Sequence, residues 1–234
     1  MNKPIALLAF VLTAATLTAQ DDVGVRFGLK LSPNLSWAQP ETKTVKSNGV
    51  GLRFTFGLMM ELPIGSSGNY RFATGLNWNH MKTKWKTDFA YYDAINEPQK
   101  TRELETDVAL QYVELPLTIK LMTNEIGYMR YFAVVGAGNA FNISAKANQV
   151  VPVYNTVAPT IVDKFEEQED ENVQDDIALY KASLIVGAGA EYNFSGNTSL
   201  MFGITYNNGF TNILDIDGAK AKAHYVELSL GVFF

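Results

Sequence analysis

The chain has no cysteine and only two histidines, His80 and His224. Without cysteine there is no disulfide framework, no thiolate metal site and no lipid-modified N-terminal thiol. After the first twenty residues, no stretch is apolar for the 18 or more residues that a membrane-crossing helix needs. No window of eleven residues carries helical periodicity. Positive charge is short as well: 19 Lys and Arg stand against 24 Asp and Glu, for a net charge of −5. An acidic chain of this kind is a poor partner for nucleic acid.

The first residues read as a secretory signal. Lys3 supplies the positive start, Ile5 to Leu17 the short apolar core, and Thr16-Leu17-Thr18-Ala19 a small residue for cleavage before Gln20. The apolar run is short for a membrane anchor. The expected division is a signal peptide over 1–19 and one domain over 20–234. Losing Lys3 with the signal moves the net charge from −5 to −6.

What the rest of the chain has is alternation. In Val50–Leu62 the residues Val50, Leu52, Phe54, Phe56, Leu58, Met60 and Leu62 share one parity. Gly51, Arg53, Thr55, Gly57, Met59 and Glu61 share the other. That is 13 residues of unbroken period two, the period of a strand with unlike faces. A soluble strand is usually about five or six residues long; a tilted membrane strand needs roughly 9–11. Similar patterns appear at Val23–Ser32, from Tyr70 to Asn79, at Val108–Met122, from Tyr128 to about Phe141, and at Leu179–Phe194, Thr198–Asn207 and Ala223–Phe234. Pro33 is expected to end the first strand, and Pro116 to sit where a ladder bond is missing.

Eight strands result. Their connections alternate long and short, with short turns at Pro63–Asn69, Thr123–Gly127 and Ser195–Asn197. The expected loops are polar: about 33–48, 82–107 and 142–176. This predicts an all-β, eight-stranded antiparallel up-and-down transmembrane β-barrel in the outer membrane, surrounded by its lipid, with both mature termini periplasmic. The last strand stops on Phe234, the residue expected to serve barrel-assembly machinery during insertion. A soluble lipocalin-like barrel is the rival, but it would have to pack the large apolar face into a narrow lumen.

Four stretches carry a resemblance. FGLKLSPNLSW near the start, YVELPLTIKL in the fourth strand, VGAGAEY in the sixth and YNNGFTNI at the end of the seventh resemble the PorT-type outer-membrane β-barrel family of the Bacteroidota. The resemblance implies an eight-stranded outer-membrane barrel. Its founding member is associated with export through the type IX secretion system, so secretion-system proteins are implied partners.

Ten charges share the polar parity: Arg26, Lys30, Arg53, Glu61, Arg71, Glu114, Lys120, Arg130, Glu191 and Glu227. In a membrane barrel they face the lumen, and paired there they form a plug rather than an open pore. Neither histidine has a hydroxyl or acid placed to share its face, so no enzyme is expected. Eight acids lie between Asp163 and Asp176, without the Asp/Asn–Gly spacing of a calcium loop. No metal or cofactor is expected. The expected work is structural or surface-binding through extracellular loops. The alternatives are a secretion accessory and a small-solute channel.

Overall fold

The computed structural model describes residues 24–42, 45–95, 97–196, 198–216 and 218–234. The expected signal segment lies outside these. Among the described residues there are nine strands: β1 (Arg26–Pro40), β2 (Val45–Pro63), β3 (Tyr70–Tyr91), β4 (Lys100–Met122), β5 (Met129–Tyr154), β6 (Val162–Asn172), β7 (Tyr180–Ser195), β8 (Thr198–Gly209) and β9 (Ala221–Phe233). Eight close an antiparallel ring in the order β1-β2-β3-β4-β5-β7-β8-β9, with β9 returning to β1. The ninth, β6, lies outside the ring and pairs with β5 alone. Period-two alternation puts Leu29, Leu52, Trp78, Leu117, Phe202 and Ile204 on the outer wall. Leu52 is 61% exposed and Ile204 62%, which a water-soluble sheet would not tolerate across a whole belt.

The strands run further than their apolar outer faces. β1 does not end at Pro33. Proline removes only one donor, and the β1–β9 ladder skips from Leu31↔Leu230 to Asn34↔Glu227 around it. Pro116 behaves alike: the β3–β4 ladder is interrupted from Ala73↔Thr118 to Asn77↔Glu114. The expected loops at 82–107 and 142–176 are also largely strand. β3 and β4 stay paired out to Tyr91↔Lys100. β5 continues to Tyr154 and folds back as β6, which contains the acidic run.

The reason is an inversion of the binary pattern. On β4, Val113, Leu115, Leu117 and Ile119 face outward, yet further along Tyr112, Leu110, Val108 and Leu104 are the buried, inward residues. On β3, Trp78 faces outward, whereas Met81 and Trp85 face inward and Lys82, Lys84 and Lys86 take the outer face. The switch falls at one level, because Trp78 pairs with Val113 and Met81 with Leu110. Below it the barrel is apolar outside and polar inside; above it a crown is polar outside and apolar inside. Ile177, Ile213 and Leu214 fold into the crown against Met81, Trp85 and Leu110 as an apolar cork. The cork is tied by the bonds Ile213 N to Ala221 O (2.9 Å) and Asp215 N to Asp176 O (2.8 Å).

At the same level β2 bulges. The β2–β3 register passes from Val50↔Thr83 to Thr55↔Asn79, five steps on β2 against four on β3. Side chains of β1 bridge the gap. Asn34 Nδ2 donates to His80 O at 2.9 Å, and Ser36 Oγ accepts from Lys82 N at 2.9 Å. A Cβ on Gly51 would lie 2.3 Å from Lys82 O. Gly51→Val should therefore force the two backbones apart. It should cost at least about 1–3 kcal/mol, read as a lower urea midpoint of the refolded barrel.

Candidate functional site: the lumen and the crown above it

The lumen is filled in layers. At the end carrying the short turns, Lys120 Nζ lies 2.6 Å from Glu61 Oε1 and also bonds Glu191. Arg26 Nη1 donates to Glu191 at 2.8 Å and lies 3.5 Å from Glu61 Oε2. Arg71 stands 3.9 Å from Glu61 and donates to the Gly24 carbonyl at 3.2 Å. Two rings back this layer. Lys120 Nζ is 4.3 Å from the Phe132 ring centre, and Arg26 Cζ is 4.3 Å from that of Phe233. Such contacts help hold cations that have left water. Buried charges cost several kcal/mol each unless paired and hydrogen-bonded, and here each carboxylate meets at least two cations.

The next layer is the pair Lys30–Glu227 at 2.8 Å, extended by Ser229 Oγ (3.1 Å to Glu227) and Thr205 (3.1 Å to Ser229). Beside it is a cavity of about 100 Å3 reaching Asn77, Glu114 and Tyr225. That is room for several water molecules but not for a hydrated solute. Above, Glu114 accepts hydrogen bonds from Asn77 (3.3 Å), Asn207 (3.3 Å) and Tyr225 Oη (3.2 Å). Lys181 is fully buried and donates to Asn207 Oδ1 at 3.1 Å. Its Nζ lies 5.1 Å from the Tyr225 ring, so Asn207 and Tyr225 join the two ions without direct contact. The apolar cork lies beyond.

The crown has its own chemistry. Lys46–Asp88, Lys82–Asp107 and Lys86–Glu105 each pair at 2.8 Å across neighbouring strands; exposed pairs of this type contribute about 0–1 kcal/mol. A hydrogen bond from Lys100 holds the Asp93 carboxyl below its ordinary range. Phe165 of β6 meets Tyr91 edge-on at 5.1 Å, and Arg102 Cζ lies 4.3 Å over its ring. These contacts fold the β5–β6 hairpin onto β3 and β4.

The family described as "Outer membrane protein beta-barrel domain" matches residues 18–215. The chain belongs to that family. It is an outer-membrane β-barrel protein, and no helix among its described residues is long and apolar enough to cross a membrane. No curated protein matches it. Among solved structures it is similar to Neisserial surface protein A, at 16% identity over 90% of this chain and 97% of that one, with a TM-score of 0.44. It is similar to OprG from Pseudomonas aeruginosa at 11% identity over 90% and 94%, TM-score 0.42. It is also similar to Ail of Yersinia pestis, at 15% identity over 90% and 97%, TM-score 0.39.

Of the ten charges sharing the polar parity in this family member, eight point into the lumen: Arg26, Lys30, Glu61, Arg71, Glu114, Lys120, Glu191 and Glu227. Two do not. Arg53 is exposed, because the β2 bulge turns it onto the outer wall while Gly51 and Thr55 stay buried. Arg130 sits at the turn end, about a third exposed, and pairs with Glu125 of the neighbouring turn at 3.5 Å. Lys181 is the lumen cation that sequence reasoning missed. It lies two residues past Leu179, and its parity with Gly187, Gly189 and Glu191 was the available signal. His80 and His224 lie on the outer wall in aromatic packing, at 4.8 Å from Trp78 and 6.0 Å from Trp37 respectively. Among the described residues no three His, Cys, Asp or Glu gather closely enough to hold a metal.

Proposed function

We propose that this protein is a closed outer-membrane barrel that holds a rigid crown at the cell surface, where the crown binds a partner. The carrying observation is the crown itself. β5 continues past Phe141, its last partner of β7 opposite Tyr180, as far as Tyr154, and β3, β4 and β6 rise with it. A barrel needed only as a wall has no use for that length, and binding residues collect on segments held by rigid scaffolds. In this reading the short turns and both ends of the barrel domain face the periplasm. The lumen charges are the plug. Phe234 faces outward at the turn end, its N–H bonded to Phe27 O at 2.9 Å, where assembly machinery could hold it.

In planar bilayers the purified barrel should show no steady conductance step, and liposomes containing it should not admit sugars. A large steady conductance would overturn the plug and favour the small-solute channel. Labelling of intact cells with a membrane-impermeant amine reagent should modify Lys164 and Lys100. Labelling only after permeabilisation would reverse the orientation. The secretion-accessory reading rests on the PorT-type resemblance, and a deletion strain that still exports its secreted proteins would remove it.

A further inference from the structure

Arg53 is the charge that the fold takes off the lumen parity and turns outward. Among the described residues it makes no ion pair and no hydrogen bond, unlike the crown bases Lys46, Lys82 and Lys86. Its bulge opens the wall between β2 and β3 into a recess of about 300 Å3, lined by Arg53, Phe54, Phe56, His80 and Gln111, with Met81 and Leu110 as its floor. The recess lies at the level where the binary pattern inverts. Below it, Phe54, Phe56 and Trp78 belong to the apolar belt; above it stand Lys82 and Lys84.

We infer that this recess binds the phosphate-bearing headgroup of a membrane lipid in the leaflet on the crown side. A guanidinium matches a phosphate with two parallel N–H bonds, and it sits at the depth where long basic side chains reach headgroups. His80 and Gln111 add donors beside it. The acyl chains lie along Phe54, Phe56 and Trp78 without leaving the hydrocarbon. A free anion would use only the polar half of the recess. The leaflet assignment rests on the orientation proposed above; the binding does not.

The test is native mass spectrometry of the detergent-solubilised barrel with dioleoyl phosphatidic acid, with dioleoylglycerol as the same lipid lacking phosphate. Phosphatidic acid should remain bound and dioleoylglycerol should not. Arg53→Ala should lower occupancy about tenfold and Arg53→Lys less, since a point charge replaces the two-bond fork. Arg102→Ala, whose guanidinium lies over Phe165 in the crown, should bind as the parent does. Each variant is first shown to be folded by its heat-modifiable gel mobility. Equal binding by Arg53→Ala, or by dioleoylglycerol, overturns the site. Displacement of the lipid by inorganic phosphate at equal concentration would make it a free-anion site and overturn the lipid. A failed surface-labelling experiment would move the site to the other leaflet and leave these results standing.

Discussion

Replacing Lys120 with methionine should cost the barrel about 3–5 kcal/mol, the range for breaking a buried ion pair by removing one partner. Lys120 is 2% exposed and, with Arg26, joins Glu61 to Glu191, making the closest contact to Glu61. Without it Glu191 keeps Arg26 at 2.8 Å, but Glu61 keeps only contacts at 3.5 and 3.9 Å. Urea unfolding of the protein refolded into vesicles gives the number. Adding Glu61→Gln should restore only part of the loss, because it removes the carboxylate left worst paired but also takes that carboxylate away from Arg26 and Arg71. The double-mutant cycle then isolates the coupling. A loss below about 1 kcal/mol, typical of exposed pairs, would mean that water reaches this layer and the plug is loose.

Trp85→Ala should remove about 3–5 kcal/mol from the crown, the usual range for an aromatic residue deleted from a packed core. Trp85 is 8% exposed and packs in the apolar cluster with Met81, Val108 and the cork residues Ile213 and Leu214. The cluster lies above the level where the pattern inverts, so the loss should be local. Protease should begin to cut in residues 155–161 while the ring below stays protected and keeps its heat-modifiable mobility. If the gel shift disappears as well, crown and ring unfold as one unit.

The ring was legible because a strand in a membrane wall declares itself at every second residue. Val50–Leu62 and Ala223–Phe234 show this without help from any neighbour. The crown was not legible, for a reason written in the same residues. Past Trp78 on β3 and Val113 on β4 the apolar parity changes sides while the strand continues. A search for one apolar face stops there and reads Lys82 to Asp107 as loop. The acidic run was lost likewise: Glu166, Glu167 and Glu169 face water on β6, and only the pairing with β5 makes that stretch a strand. Arg53 needed the bulge, which depends on Gly51 lying against Lys82 O, a contact between strands that no single-strand pattern contains. Lys181 was legible and overlooked: it lies inside the strand expected from Leu179 and shares the inward parity of Gly187, Gly189 and Glu191.

The crown wall is tall on one side only. β5 rises to Tyr154 and β3 to Tyr91, whereas β1 stops at Pro40, β8 at Gly209, and β7 and β9 start at Tyr180 and Ala221. Beyond Phe141, β5 alone adds roughly 40 Å of strand at about 3.3 Å per residue. A rim of even height would look the same from every side; this one has a front and a back within the plane of the bilayer. A neighbour diffusing in the membrane meets either a high wall or a low sill, depending on how the barrel is rotated about the membrane normal. Any partner gripping the wall therefore sets the molecule's compass bearing, and that bearing decides which face of the apolar belt is turned toward the next protein.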